Sequence, residues 1–290
     1  MTMKIYILRT IALWVRGLML ALLSVSLVAL FTEYTHAVTF AKTYGGGNDD
    51  RPRWDRCVQQ TSDGGYIVAG RTSSFGAGGY DILLIKTDAN GNIQWAKTYG
   101  GTSDNDYAYS VQQTSDGGYI VTGITYSFGA GGGDFFLIKT DANGNVSWAK
   151  TYGRTGEDRA YSVQQTFDGG YIVAGFAGGD AFLIKTDASG NVQWAKTYGG
   201  GGNDWAYSVQ QTSDGGYIVA GFTRSFGVGE SDIFLIKTDA NGNIGSCSIV
   251  QNANPTVTTP SPTVNTFSPS VSSVSPTVNS VSPTVTSPTL

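Results

Sequence analysis

The side chains with most chemical promise are five arginines, a set of aromatics and three aspartates, in a chain of 290 residues with one histidine. The arginines are Arg51, Arg53, Arg56, Arg71 and Arg224. A guanidinium fork suits carboxylates, sulfates and phosphates, so a cluster of them reads as an anion site. Ion pairing with Asp49, Asp50, Asp55 and Glu230 is the competing use of the same charges. Trp54, Tyr107, Arg159 and Trp205 recur at one position of a repeat, where aromatic rings either stack on sugar faces or plug a channel. Asp106, Asp158 and Asp204 recur one residue earlier and either hold a cation such as calcium or cap neighbouring backbone. Cys57 and Cys247 are the two cysteines. A disulfide between them would close a loop of 190 residues and stabilise by about 5 kcal/mol on a chain-entropy argument.

Some chemistry is excluded. The sole histidine, His36, lies in a leader whose removal after Ala37 takes the imidazole away. A Ser-His-Asp triad and a His-ligated zinc centre are then out of reach. Asp88, Asp141, Asp187 and Asp239 open Asp-Ala-Asn-Gly-Asn or Asp-Ala-Ser-Gly-Asn turns that look like calcium loops. The glycine at the sixth position and glutamate at the twelfth of an EF-hand are missing, so turn geometry is the better reading. Gly-rich loops such as Gly76-Ala77-Gly78-Gly79 open no helix and form no phosphate cradle. An enzyme here would have to work with carboxylates, Glu157 with Asp158 or Asp104 with Asp106.

The elements that position these groups come from one unit copied four times. Each copy runs from a strand ending in Gln-Gln-Thr, through an Asp-Gly-Gly turn, to Tyr-Ile-Val-(Ala/Thr)-Gly. A Gly-rich loop then leads to a Leu-Ile-Lys-Thr strand, an Asn-Gly or Ser-Gly turn, and Trp-Ala-Lys-Thr-Tyr. The Asp of the first turn falls at 63, 116, 168 and 214, a period of 46 to 53 residues that marks a repeat architecture. β-Branched and aromatic residues between tight-turn signals predict four short antiparallel strands per copy, the make-up of a β-propeller blade. The fourth copy lacks Trp-Ala-Lys-Thr-Tyr, and residues 38–44 carry Phe-Ala-Lys-Thr-Tyr. The expectation is an all-β, four-bladed propeller over 38–250, closed by its N-terminal strand. Assembly of an incomplete set of blades with a second chain into a larger ring is the rival arrangement.

The copies agree on the face carrying the two tight turns and disagree on the opposite one, where binding sites favour variable loops on a rigid scaffold. The first copy departs furthest. Its leading loop, 47–56, is long; Arg53 aligns with Asp106, Asp158 and Asp204, and Arg56 with Tyr109, Tyr161 and Tyr207.

The two ends differ in kind. Residues 1–37 combine early basic residues, an apolar run over 17–31 and Thr-His-Ala before the cut. That pattern predicts a secretory signal rather than an anchor, which needs about 20 apolar residues. The whole chain has 18 basic and 22 acidic residues. Losing Lys4, Arg9, Arg16 and Glu33 leaves 15 and 21, a net charge of −6 that argues against a nucleic-acid partner. Residues 251–290 are Ser, Thr, Pro, Val and Asn with hardly a large apolar group, predicting a disordered stalk-like tail.

Gly91 to Trp95, Gly144 to Trp148 and Gly190 to Trp194 keep a Gly-to-Trp spacing of four residues, which fails at Gly242 and Ser246. In this the chain resembles the repeats of pyrroloquinoline-quinone-type propellers, where such Gly and Trp residues pack across neighbouring blades. The whole unit is similar to propeller repeats of exported bacterial and archaeal proteins. The resemblance spans 38 to about 246 and implies the fold; the quinone dehydrogenases have eight blades and a vicinal cysteine pair absent here, so no cofactor is carried over. The function expected is a secreted or cell-surface, monomeric binding module for an acidic glycan or surface protein, touching membrane only through export. The alternative is a carbohydrate-active or cofactor-dependent enzyme.

Overall fold

The computed structural model describes residues 40, 42–53, 56–76, 79–101, 104–129, 132–153, 156–227 and 229–245, with the backbone of four tail strands. The leader 1–37, Trp54 and Cys247 lie outside the described residues, and with them the signal and disulfide expectations. Every described element is a strand, and no sheet closes on itself.

Unit one comprises β2 (Asp50–Arg51), β3 (Val58–Gln60), β4 (Tyr66–Thr72), β5 (Asp81–Thr87) and β6 (Ile93–Gly100), after an N-terminal β1 (Lys42–Gly45). Unit two holds β7 (Asp106–Gln113), β8 (Tyr119–Thr125), β9 (Asp134–Thr140) and β10 (Val146–Gly153). Unit three holds β11 (Asp158–Gln165), β12 (Tyr171–Ala177), β13 (Asp180–Thr186) and β14 (Val192–Gly199). Unit four stops at three strands: β15 (Asp204–Gln211), β16 (Tyr217–Thr223) and β17 (Asp232–Thr238). Within each unit, strands pair antiparallel in chain order, except that β2 and β3 share β4 as partner. This repetition of four-stranded antiparallel sheets is propeller-like.

The turns form for the reasons their residues suggest. The Asp88 carboxylate accepts from the backbone N–H groups of Asn90 and Asn92, both at 2.8 Å, and from the Asn92 amide. Its oxygens are thus spent inside the turn, and Asp141, Asp187 and Asp239 repeat the pattern. In the other hairpin the buried ammonium groups of Lys86, Lys139 and Lys185 reach Asp63, Asp116 and Asp168 at 2.8 Å. Each lysine also donates to its neighbour's carbonyl, so a charge that would be costly alone is partnered on several sides.

The core lies between units. Ile67, Ile82 and Leu84 of unit one pack on Tyr119, Val121 and Phe136 of unit two, and the pattern recurs at the next two joints. The hydroxyls of Tyr99, Tyr152 and Tyr198 donate to the carbonyls of Gly144, Gly190 and Gly242 in the following unit, at 2.6 to 2.7 Å. Trp95 lies edge-on to Tyr119 at 5.7 Å, Trp148 to Tyr171 at 5.9 Å and Trp194 to Tyr217 at 5.8 Å. A Cβ on Gly144 would come within 2.9 Å of Trp95, so each hairpin glycine abuts the tryptophan of the preceding unit.

The N-terminal strand makes the same contacts on unit one. Tyr44 donates to the Gly91 carbonyl at 2.7 Å, Lys42 to Asn92 at 2.8 Å, and Phe40 meets Tyr66 edge-on at 5.9 Å. It therefore occupies the place of a fourth strand preceding unit one. It forms no ladder with β17. Accordingly Ile233 and Leu235 on β17 are 87% and 61% exposed, whereas the equivalent leucines 84, 137 and 183 are all at 0%.

The tail, expected to be disordered, contributes β18 (Thr256–Thr258), β19 (Thr263–Thr266), β20 (Ser270–Ser273) and β21 (Thr277–Ser280). They pair antiparallel with β14, β10, β6 and β1 respectively.

Candidate functional site

One end of the inner strands carries a cavity of about 350 Å³ lined by Arg53, Asp104, Asn105, Tyr107, Tyr109, Tyr126 and Arg159. Arg53 comes from the long segment between β2 and β3. Asp104 and Asn105 lead into β7, which supplies Tyr107 and Tyr109. Tyr126 follows β8, and Arg159 is the second residue of β11. These are the loops on which the copies disagree.

The Arg53 guanidinium lies over the Tyr107 ring at 4.6 Å and near that of Tyr109 at 5.9 Å. Such stacking is worth about 0.5–1 kcal/mol and holds the planar cation in place with its donors available. Arg53 makes no ion pair among the described residues. Arg159 differs: its Nε donates to Glu157 Oε1 at 2.9 Å, and the Tyr126 hydroxyl donates to the same oxygen. Burial alone would raise the Glu157 carboxyl, but these two donors outweigh it and hold it below its ordinary value. Burial and the neighbouring carboxylate push the Tyr126 hydroxyl up to about 12. The cavity thus offers a guanidinium with no ion pair among the described residues, a second one paired with Glu157, and neutral polar groups, with the exposed Asp104 on its wall. That set suits an anion whose other parts accept hydrogen bonds.

Of the five arginines expected to form one cluster, only Arg53 lines this cavity. Arg51 and Arg71 share the Asp49 carboxylate, at 3.1 and 2.9 Å, which is the ion-pair use of these residues. Arg71 lies over Tyr80 at 4.1 Å and Tyr107 at 5.1 Å, backing the cavity without lining it. Arg56 donates to Ser208 Oγ at 2.5 Å, across to unit four. Arg224 is exposed, bonded to Ser231 at 3.2 Å.

Trp205 also stands apart. It stacks on Tyr161 at 5.7 Å and tilts against Phe176 at 4.7 Å, and Tyr161 stacks on Tyr109 at 5.5 Å. This aromatic column reaches the cavity wall at Tyr109, and Trp205 itself does not line the cavity.

Two of the three aspartates, Asp106 and Asp204, serve their own loops. Asp106 accepts from Gly101 N–H at 3.0 Å, from Ser127 Oγ at 2.7 Å and from Thr125 Oγ1. Asp204 accepts from Gly200 N–H and Ser225 Oγ, and Asp158 is buried at the same register position. In unit one this role falls to Asp50, which accepts from Gly46 N–H at 2.7 Å and Ser74 Oγ at 2.6 Å. The alignment of Arg53 with Asp106 is therefore corrected. Asp50 pairs with Thr72 as Asp106 pairs with Thr125, and Arg51, not Trp54, takes the Tyr107 position. Counting back from Gln-Gln-Thr overlooked the residues inserted between β2 and β3. Among the described residues no group of three or more His, Cys, Asp or Glu is placed to hold a metal ion.

Asn105 and Tyr126 were missed by sequence reasoning, and Arg159 was read only as a ring-position residue. Their signal was present: each lies on the variable face, and Arg159 departs from Tyr107 and Trp205 at its position. Compared with models of known protein families the chain matches none, and it matches no curated protein.

Proposed function

We propose that this chain is an exported, surface-exposed binding module, a four-bladed propeller of the quinoprotein-like type whose cavity takes an anionic ligand such as an acidic glycan. The observation that carries the binding reading is Arg53, stacked on Tyr107 in a cavity wall and making no ion pair among the described residues. Ring closure is part of the proposal. Three features support it: β1 makes the full set of fourth-strand contacts on unit one, Arg56 reaches Ser208 of unit four, and two unmatched apolar faces remain. One is Ile233 and Leu235; the other is a cavity of about 370 Å³ lined by Tyr44, Val68, Leu83 and Ile85. Bringing them together reproduces the other three joints.

The test is a panel of uronate-bearing, sulfated and neutral glycans against the native chain and Arg53→Ala with Tyr107→Ala. Binding confined to anionic glycans and lost in the double variant is expected. Binding that ignores the substitutions, or prefers neutral glycans, overturns the site.

A further inference from the structure

The tail follows a rule that neither its composition nor the binding reading explains. Its four strands begin at residues 256, 263, 270 and 277, an advance of seven residues each time. Each is preceded by a proline, at 255, 262, 269 and 276. Proline has no N–H to give a ladder, so it fits just ahead of a paired segment. The register is the same throughout. Val257, Val264, Val271 and Val278 stand opposite Tyr198, Tyr152, Tyr99 and Tyr44. Thr256, Thr263, Ser270 and Thr277 stand opposite Gly199, Gly153, Gly100 and Gly45. The tail therefore visits the outermost strands of units three, two and one and then β1.

An outermost strand presents a row of unpaired backbone groups, a template for any chain able to add a strand. We propose that these outer strands are four equivalent strand-addition sites for the Pro-(Ser/Thr)-Val repeat, and that the partner they fit beyond the chain's own tail is the tail of a second copy. With one register at all four edges, nothing in the pairing distinguishes an own segment from that of another molecule. Four of the tail's five Pro-(Ser/Thr)-Val segments meet four edges, so exchange between two copies leaves none of those four bare. Tethering gives the own tail an effective concentration of order millimolar. The dilute chain keeps its own belt, and crowded chains trade segments.

The test uses the full-length chain carrying Thr258→Pro, Asn265→Pro, Ser272→Pro and Asn279→Pro, whose tail has lost the ladder donors that follow each valine, since the backbone groups of the facing tyrosines are spent on the inner neighbouring strand. The probe is a fluorescent peptide of residues 254–290 with the native sequence. It is expected to bind the variant on the order of tenfold more tightly than the native chain, whose own tail competes. The same peptide bearing the four prolines should bind neither. Equal binding to both proteins, or binding to neither, overturns the proposal. Hydrogen exchange on the native chain gives a second reading. Slowed exchange at the amides of Thr258, Asn265, Ser272 and Asn279 supports the belt, and exchange as fast as in the free peptide refutes it.

Discussion

Leu235→Ala reads out the seam between units four and one. Its counterparts Leu84, Leu137 and Leu183 are completely buried at the other joints, and truncating such a leucine costs about 3 kcal/mol, within a range of roughly 2–5. Leu235 is 61% exposed as long as β17 stands alone. Burial of that degree yields about 1 kcal/mol, so an open arc loses little when the side chain is cut back. In the closed ring Leu235 faces Val68, Leu83 and Ile85 and should cost as much as Leu183→Ala measured in parallel. Urea unfolding separates about 3 from about 1 kcal/mol, and Tm should fall by about 6–12 °C rather than 2–4 °C. A Leu235→Ala chain that unfolds within 1 kcal/mol of the native one refutes closure. Sedimentation then distinguishes the two ways of closing, since a single-chain ring has the mass of one chain and a ring shared between copies has twice that.

Gly144→Ala should destabilise by about 1–3 kcal/mol, because φ there is +73° and the new Cβ would lie 2.9 Å from Trp95. Gly117→Ala, at φ +82° with nothing within 4 Å, should show only the left-handed backbone cost of roughly 1–2 kcal/mol; equal losses at the smaller value would discount the tryptophan contact. The lysine struts should make the chain acid-sensitive. Lys86 and the Thr61 hydroxyl hold Asp63 at about 2, and Asp116 and Asp168 reach the same value because their lysine and threonine donors outweigh burial. A carboxyl lowered in the folded state takes up its proton first in the unfolded chain, so this stability is present above about pH 4 and is lost as pH falls towards 2. Asp63→Asn with Asp116→Asn and Asp168→Asn should flatten urea midpoints across that window, and an unchanged slope would rule the struts out as its cause.

The repeat carried most of the architecture because its signals are local. Asn-Gly and Asp-Gly-Gly fix their turns within four residues, and alternating apolar positions fix which faces meet. The site was harder to read. Whether a given arginine is spent on a neighbour depends on register, and the two residues of β2 set that register through a pairing with β4 that no local pattern announces. Asp50 and Arg53 lie only three positions apart, yet one is a half-buried cap and the other a cavity wall. The tail's pairing was hidden for another reason: its residues lack a core of their own, and its order comes from the edges of other strands.

The parked N-terminal strand also bears on how such a chain assembles. Joining the first strand to the last unit spans nearly the whole propeller sequence, and contacts of such separation form slowly because the intervening chain must be ordered first. Tyr44 and Lys42, however, already hold Gly91 and Asn92, about as far along the chain as Tyr99 is from Gly144. The first strand is delivered to its station by a neighbour rather than by the far end. What remains is for two finished surfaces to dock. A chain folding from its amino terminus would thus build every joint between consecutive units at one short range, and the closure proposed above would be a single late docking step.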